Sequence, residues 1–198
     1  MGHMELPQTV EWALHCCWLL ALLPEDAALP TRRLAEYHGI PEAYLAKLLK
    51  TLTRDGLLAA SPGPRGGYRL ARPAEQITVL DVVRAVEGQH QMFRCAEIRQ
   101  RGPVPLPSAQ CRRPCGIASV MHQAERAWRD ALAARTVAEL VTEAGTGSHA
   151  RAARWLGEVT GRRPGTARPS AGRGSPRTDA KTAPPKVSGS DRDRVRAR

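Results

Sequence analysis

Between Thr31 and Leu70 the sequence is punctuated tightly enough to admit few folds. Thr31 suits a helix N-cap, Arg32 to His38 suit a short helix, and Gly39 suits its left-handed end. Pro41 fits the first position of a second helix, which sets Leu45, Leu48, Leu49 and Leu52 on one side. Lys47, Lys50 and Arg54 fall on its other faces, and Asp55-Gly56 stops it. Leu57 to Ala60 then reads as a strand, Ser61 to Gly67 as a turn-rich tip, and Tyr68 to Leu70 as the returning strand. Two short helices around a tight turn, followed by a hairpin, predict a mainly α fold with a small β-hairpin wing: a winged helix-turn-helix.

The flanks extend this plan. Residues 7–22 predict a helix from Val10, Leu14, Cys17 and Ala21, and Thr78 to Val86 predict another, with Asp81 in its first turn. Gly88 to Cys115 holds many Pro, Gly and Gln residues with little periodicity, and long loops of this kind are often functional. Ile117 to Val141 is the longest helical pattern, its stripe running from Ile117 through Val120, Met121, Ala124, Trp128 and Leu132 to Val137. The expected boundaries are 4–88 for the winged helix, 89–116 for the loop, 117–145 for the long C-terminal helix and 146–198 for a tail. Residues 1–145 carry 17 Lys and Arg against 15 Asp and Glu, whereas residues 146–198 carry 13 against 4. Most of the +11 net charge thus lies in a Pro-, Gly- and Ser-rich segment, expected to be a disordered basic arm with affinity for polyanions. Met1-Gly2-His3 ahead of Met4 reads as a cloning remnant.

No apolar run approaches the length of a membrane span, and Trp12 to Leu23 is short, holds His15 and lacks a basic leader. A cytoplasmic protein without membrane association is expected. Five cysteines, an odd number, favour core thiols, metal ligands or redox chemistry over a disulfide framework. The sequence has no phosphate loop, zinc-protease signature or Gly-x-Ser-x-Gly elbow, so an enzyme is not expected.

A helix that fits the major groove reads base edges through its outward N-terminal residues, here Glu42, Ala43, Tyr44 and Lys47. Lys50 and Arg54 are placed to reach phosphates, which fix register and salt dependence. Arg65 stands in the Gly-rich hairpin tip, where it can approach the backbone or a narrow minor groove. Thr31, Gly66 and Tyr68 complete the candidate contacts to double-stranded DNA.

Three stretches carry a resemblance: Ile40-Pro41-Glu42-Ala43-Tyr44-Leu45-Ala46-Lys47-Leu48-Leu49 with Asp55-Gly56-Leu57-Leu58, then Arg65-Gly66-Gly67-Tyr68-Arg69-Leu70-Ala71-Arg72-Pro73, then Ile77 to Gly88. They resemble the Rrf-two family of winged-helix transcription regulators, which includes IscR, NsrR, RirA and RsrR, over about residues 5–143. The resemblance implies a homodimer joined by the long C-terminal helix and bound to palindromic operators, acting as a repressor.

It also implies an iron–sulfur site. Family members with clusters place cysteines in the loop before the dimerisation helix, and here that loop holds Cys95, Cys111 and Cys115, soft ligands suited to iron. Fifteen residues separate Cys95 from Cys111 and three separate Cys111 from Cys115, a wider spacing than in the nitric-oxide and iron sensors. Cys95 to Pro103 and Val10 to Cys17 are similar to the RsrR type of redox sensor, with a [2Fe-2S] cluster on mixed ligands. That similarity implies Glu11 and His15, four apart and on one helical face, as ligands to one iron. It implies Cys95 and Cys115 of the second subunit as ligands to the other, so that the cluster bridges the dimer. Cys111 is an alternative to Cys115, and three cysteines with one acid would suit a [4Fe-4S] site in a nitric-oxide or iron-status sensor. Trp12 adjoins the cluster in this reading, Cys16 and Cys17 are core thiols, Trp128 belongs to dimer packing, and His38, His90 and His122 are structural.

Overall fold

A computed structural model describes residues 6–24, 26–63 and 66–161. All of them lie in the first of two compact units, which ends at Gly165. The order is α1 (Gln8–Ala21), α2 (Thr31–His38), α3 (Glu42–Arg54), β1 (Leu58–Ser61), β2 (Gly67–Leu70), α4 (Val79–Glu87), α5 (Gly116–Ala133), α6 (Val137–Glu143) and α7 (Thr146–Thr160), with short 3-10 turns between some of them. The mainly helical fold with one antiparallel hairpin is the one the sequence specifies.

α1 is the central element. It buries Val10, Ala13, Cys16, Cys17, Leu19 and Leu20, and it packs against α4, α6 and β2. Around it close Leu29, Leu34, Leu45, Leu49, Leu52 and Leu57, each at most 2% exposed. Burial of side chains of this size removes about 1.5–3 kcal/mol of unfavourable hydration each, before ordering entropy is counted. α2 ends at Gly39 with φ 65°, a left-handed turn that costs glycine nothing and sends the chain into α3. The helix begins one residue earlier than expected. Arg33 and Leu34 donate to the Pro30 carbonyl, so Pro30 is the N-cap and Thr31, without a capping side-chain bond, is the first helical residue.

The hairpin pairs Leu58 with Leu70 through Ser61 with Gly67. Leu29 adds a one-residue bridge, its N–H and carbonyl each meeting Tyr68 at 2.9 Å. At Gly67 a Cβ would strike the Leu29 carbonyl and the Pro30 nitrogen, so this approach of two backbones requires glycine. α4 opens with a capping box: Thr78 Oγ1 accepts from the Asp81 N–H and Asp81 accepts from the Thr78 N–H, each at 3.0 Å.

Two expectations about the C-terminal half are corrected. The stripe from Ile117 to Val141 is not one helix. It breaks after Ala133, and α6 restarts on a second capping box formed by Thr136 and Glu139. The break lets Arg135 accept from the Val79 N–H at 2.8 Å and Val137 donate to the Ile77 carbonyl at 2.9 Å, so the fully buried Val137 joins the α1 core. The expected tail does not begin at Thr146. α7 is helical to Thr160 and buries Ala152 and Leu156 in the same core. Within the expected disordered segment, residues 162–198 lie outside the described residues. Among the described residues, no helix is long and apolar enough to cross a membrane.

Candidate functional site

α2, Gly39 and α3 build the DNA-reading pair. The leucines of α3 face the core, which leaves Glu42, Ala43, Tyr44, Lys47, Lys50 and Arg54 exposed. Tyr44 is 64% exposed, an unusual setting for a large ring, and Lys47 Nζ stands 6.0 Å from its centroid. A cation and an aromatic edge presented together suit a groove lined with base edges and phosphates. Arg54 also pairs with Asp55 at 3.2 Å, which tethers its guanidinium at the end of the helix. Tyr68 differs from expectation. Its ring is half-buried on the core and its backbone is bridged to Leu29, so it braces the root of the wing. Gly66 lies beside it, while Arg65 lies outside the described residues. Arg32 on α2 and Arg69 on β2 are exposed as well. Sequence reasoning passed over both, although Arg69 alternates with the inward Tyr68 and Leu70.

The thiols fall into two environments. Cys16 and Cys17 are fully buried, and burial pushes both up to about 12. They are core residues, as expected. Cys95 is exposed, and Cys111 and Cys115 are half-buried. Cys115 is the N-cap of α5, its Sγ accepting from the Ala118 N–H at 3.4 Å. Arg99 reaches this region from the loop. It holds Glu97 at 2.6 and 2.9 Å and donates to the Arg113 carbonyl at 3.1 Å. The Glu97 hydrogen bond raises the Arg99 guanidinium, with smaller attractions from Cys111 and Cys115. The start of the loop is anchored separately, by Arg129 donating to the His90 carbonyl at 2.9 Å and pairing with Glu125 at 2.7 Å. His122 stacks edge-on against Phe93.

On α1, Glu11 and His15 are both exposed, and Trp12 between them is half-buried against the core. Among the described residues, no group of three or more His, Cys, Asp or Glu side chains is gathered as a metal site. One chain therefore does not bring Glu11 and His15 together with Cys95 and Cys115. His15 instead lies 5.8 Å from His38, ring to ring, and burial followed by the His15 charge lowers His38 to about 4. Trp128 also departs from expectation, because it packs within the chain against the small cluster of Val10, Val79 and Val83.

This arrangement defines a winged-helix transcription regulator. Residues 6–143 match the Rrf2 family, described as iron-dependent transcriptional regulators, and the chain belongs to it. Among curated relatives, YwgB of Bacillus subtilis, a putative HTH-type transcriptional regulator, is 35% identical over 46% of this chain and 58% of its own length. YffB of Lactococcus lactis, of the same description, is 29% identical over 71% of this chain and 88% of its own. Thus the alignment with YwgB spans just over half of that relative. The fold is that of B. subtilis CymR, with a TM-score of 0.55 at 20% identity over 71% of this chain and 98% of that one. It is also that of T. potens IscR, with a TM-score of 0.53 at 22% identity over 73% and 90%. These relatives are transcription regulators and not enzymes.

Proposed function

We propose that this regulator is a redox-responsive repressor that binds palindromic operator DNA as a homodimer and carries a [2Fe-2S] cluster at the subunit boundary. The observation that carries the reading is the division of donors. A carboxylate and an imidazole are exposed on α1, three accessible thiols lie in the loop, and among the described residues no set of three is assembled within one chain. The donor chemistry suits iron, since soft thiolates and an imidazole are its usual ligands. Glu11 and His15 of one chain and Cys95 and Cys115 of its mate would hold the group, with Trp12 beside it. When bound, such a cluster supplies a one-electron couple. The residues do the rest. Cys115 would fix one ligand at the N-cap of α5, and Glu11 and His15 would fix the other pair to α1, the helix around which the core of the DNA-reading unit packs. Held at both ends in this way, the group would couple its charge to the relative placement of α5 and α1 of the two chains, as coupling between sites requires.

An apolar face on α5 supports the dimer. Ile117, Val120 and Met121 are 72%, 63% and 39% exposed, on one stripe. A single copy leaves this stripe in water. Arg99 lies near both Cys111 and Cys115, which keeps a second reading in view: a [4Fe-4S] site on all three loop thiols in a nitric-oxide or iron-status sensor.

Complementation separates the two. Neither the E11A/H15A chain nor the C95S/C115S chain should hold iron alone. Refolded together anaerobically, they should restore iron and sulfide in the mixed dimer, because that dimer has one intact shared site. Iron retained by the E11A/H15A chain alone, or absent from the mixed dimer, would refute a bridging cluster.

A further inference from the structure

α7 lies beyond the segment matched to the family, and it builds something the matched segment lacks. Trp155 packs against Tyr37 with the rings tilted and their centroids 4.8 Å apart, which seats α7 against the end of α2. Between α7, α6, α1 and α2 lies a cleft of about 530 Å³, within the usual size range of small-molecule sites. Its apolar wall is Leu14, Trp18, Leu140 and Ala144. The polar groups are Ser148 and Arg151 from α7, Tyr37 and His38 from α2 and His15 from α1. His38 Nε2 is buried with no hydrogen-bond partner. A buried ring nitrogen left unpaired costs free energy until some group bonds to it. Arg151, exposed at the rim, supplies a permanent positive charge close enough to act on the Tyr37 phenol.

We infer that this cleft is a binding site for a small carboxylate with an apolar or aromatic body, the carboxylate held by Arg151 and Ser148 and the body lying between Trp18 and Leu140. The chemistry of the wall selects that class. An uncharged apolar molecule would leave the guanidinium unused, and a highly charged phosphate ester would have to be desolvated against four apolar side chains. A planar carboxylate matches the fork of a guanidinium. Since Tyr37 and His38 end the first helix of the DNA-reading pair, an occupant ties α7 to that pair. The inference does not depend on a cluster, although His15 also lines the cleft.

The test uses the full chain and 1-naphthylacetate as probe, followed by titration calorimetry, with 1-naphthylacetamide as the uncharged control. Saturable binding is expected, with the amide weaker by about tenfold or more, as loss of a charge-assisted bond implies. R151Q, at an exposed position that leaves the core intact, should weaken the acid by a similar factor and the amide little. A144W should abolish binding of both by filling the cleft, with the thermal melting point recorded to show that the variant is folded. Absence of saturable binding to the unmodified chain, equal affinities for acid and amide, or unchanged binding in folded A144W would each overturn the assignment.

Discussion

Cys16 and Cys17 on α1 and Cys95, Cys111 and Cys115 in the loop are the same side chain in opposed settings. The first pair is sealed in the core and held as thiols up to about 12. The second group is open or half-open to solvent, with Arg99 acting on Cys111 and Cys115 and with Cys115 capping α5. The contrast extends to the regions around them. The core of residues 6–88, completed by Val137, Ala152 and Leu156, is closed, with Leu34, Leu45, Leu49 and Leu52 fully buried, whereas residues 89–133 leave Ile98, Val104 and Ile117 at 75%, 85% and 72% exposed. A region that buries its own apolar surface is specified by its own residues. One that leaves such surface open is completed by what binds it.

Thiol labelling tests the contrast with the largest expected effect. In cluster-free native protein, Cys16 and Cys17 should react with iodoacetamide about a thousandfold more slowly than in the unfolded chain, since reactivity follows the thiolate fraction. Cys95 should react promptly, and mass spectrometry of the digests reads both. Equal labelling of all five would remove the distinction. L49A, in the closed core, should cost about 3 kcal/mol of stability through a buried cavity, read by denaturant unfolding. The double variant I117E/V120E should keep its helix content while the dimer dissociation constant rises about a hundredfold, roughly the loss of two modest apolar contacts. Sedimentation would show it, and an unaltered dimer would place the subunit interface elsewhere. The smallest effect belongs to an exposed contact. K47A should weaken operator binding about tenfold or less and lower the slope of log affinity against log salt by about one, with melting unchanged.

The same contrast governs what could be read in the sequence. α2, Gly39, α3 and the hairpin were legible because leucine spacing, a left-handed glycine and a Gly-rich tip agree with one another. The break before α6 was hidden, since Val137 continues the apolar stripe of α5. The Thr136-Val137-Ala138-Glu139 sequence was nevertheless a capping-box signature that would have revealed it. α7 was missed for a different reason. Its few apolar residues, Ala152, Trp155 and Leu156, are diluted by the arginine- and glycine-rich sequence around them, yet at helical spacing they suffice to dock a helix. The thiol loop was legible only through resemblance. Its spacing has no local period.

The most direct trial of the whole account is operator affinity measured by fluorescence anisotropy on one anaerobic preparation, first oxidised, then reduced, then reoxidised. A change of at least about tenfold that reverses on reoxidation is predicted, equivalent to roughly 1.4 kcal/mol of coupling between cluster and DNA. Identical affinities in all three states, with iron content unchanged, would contradict it.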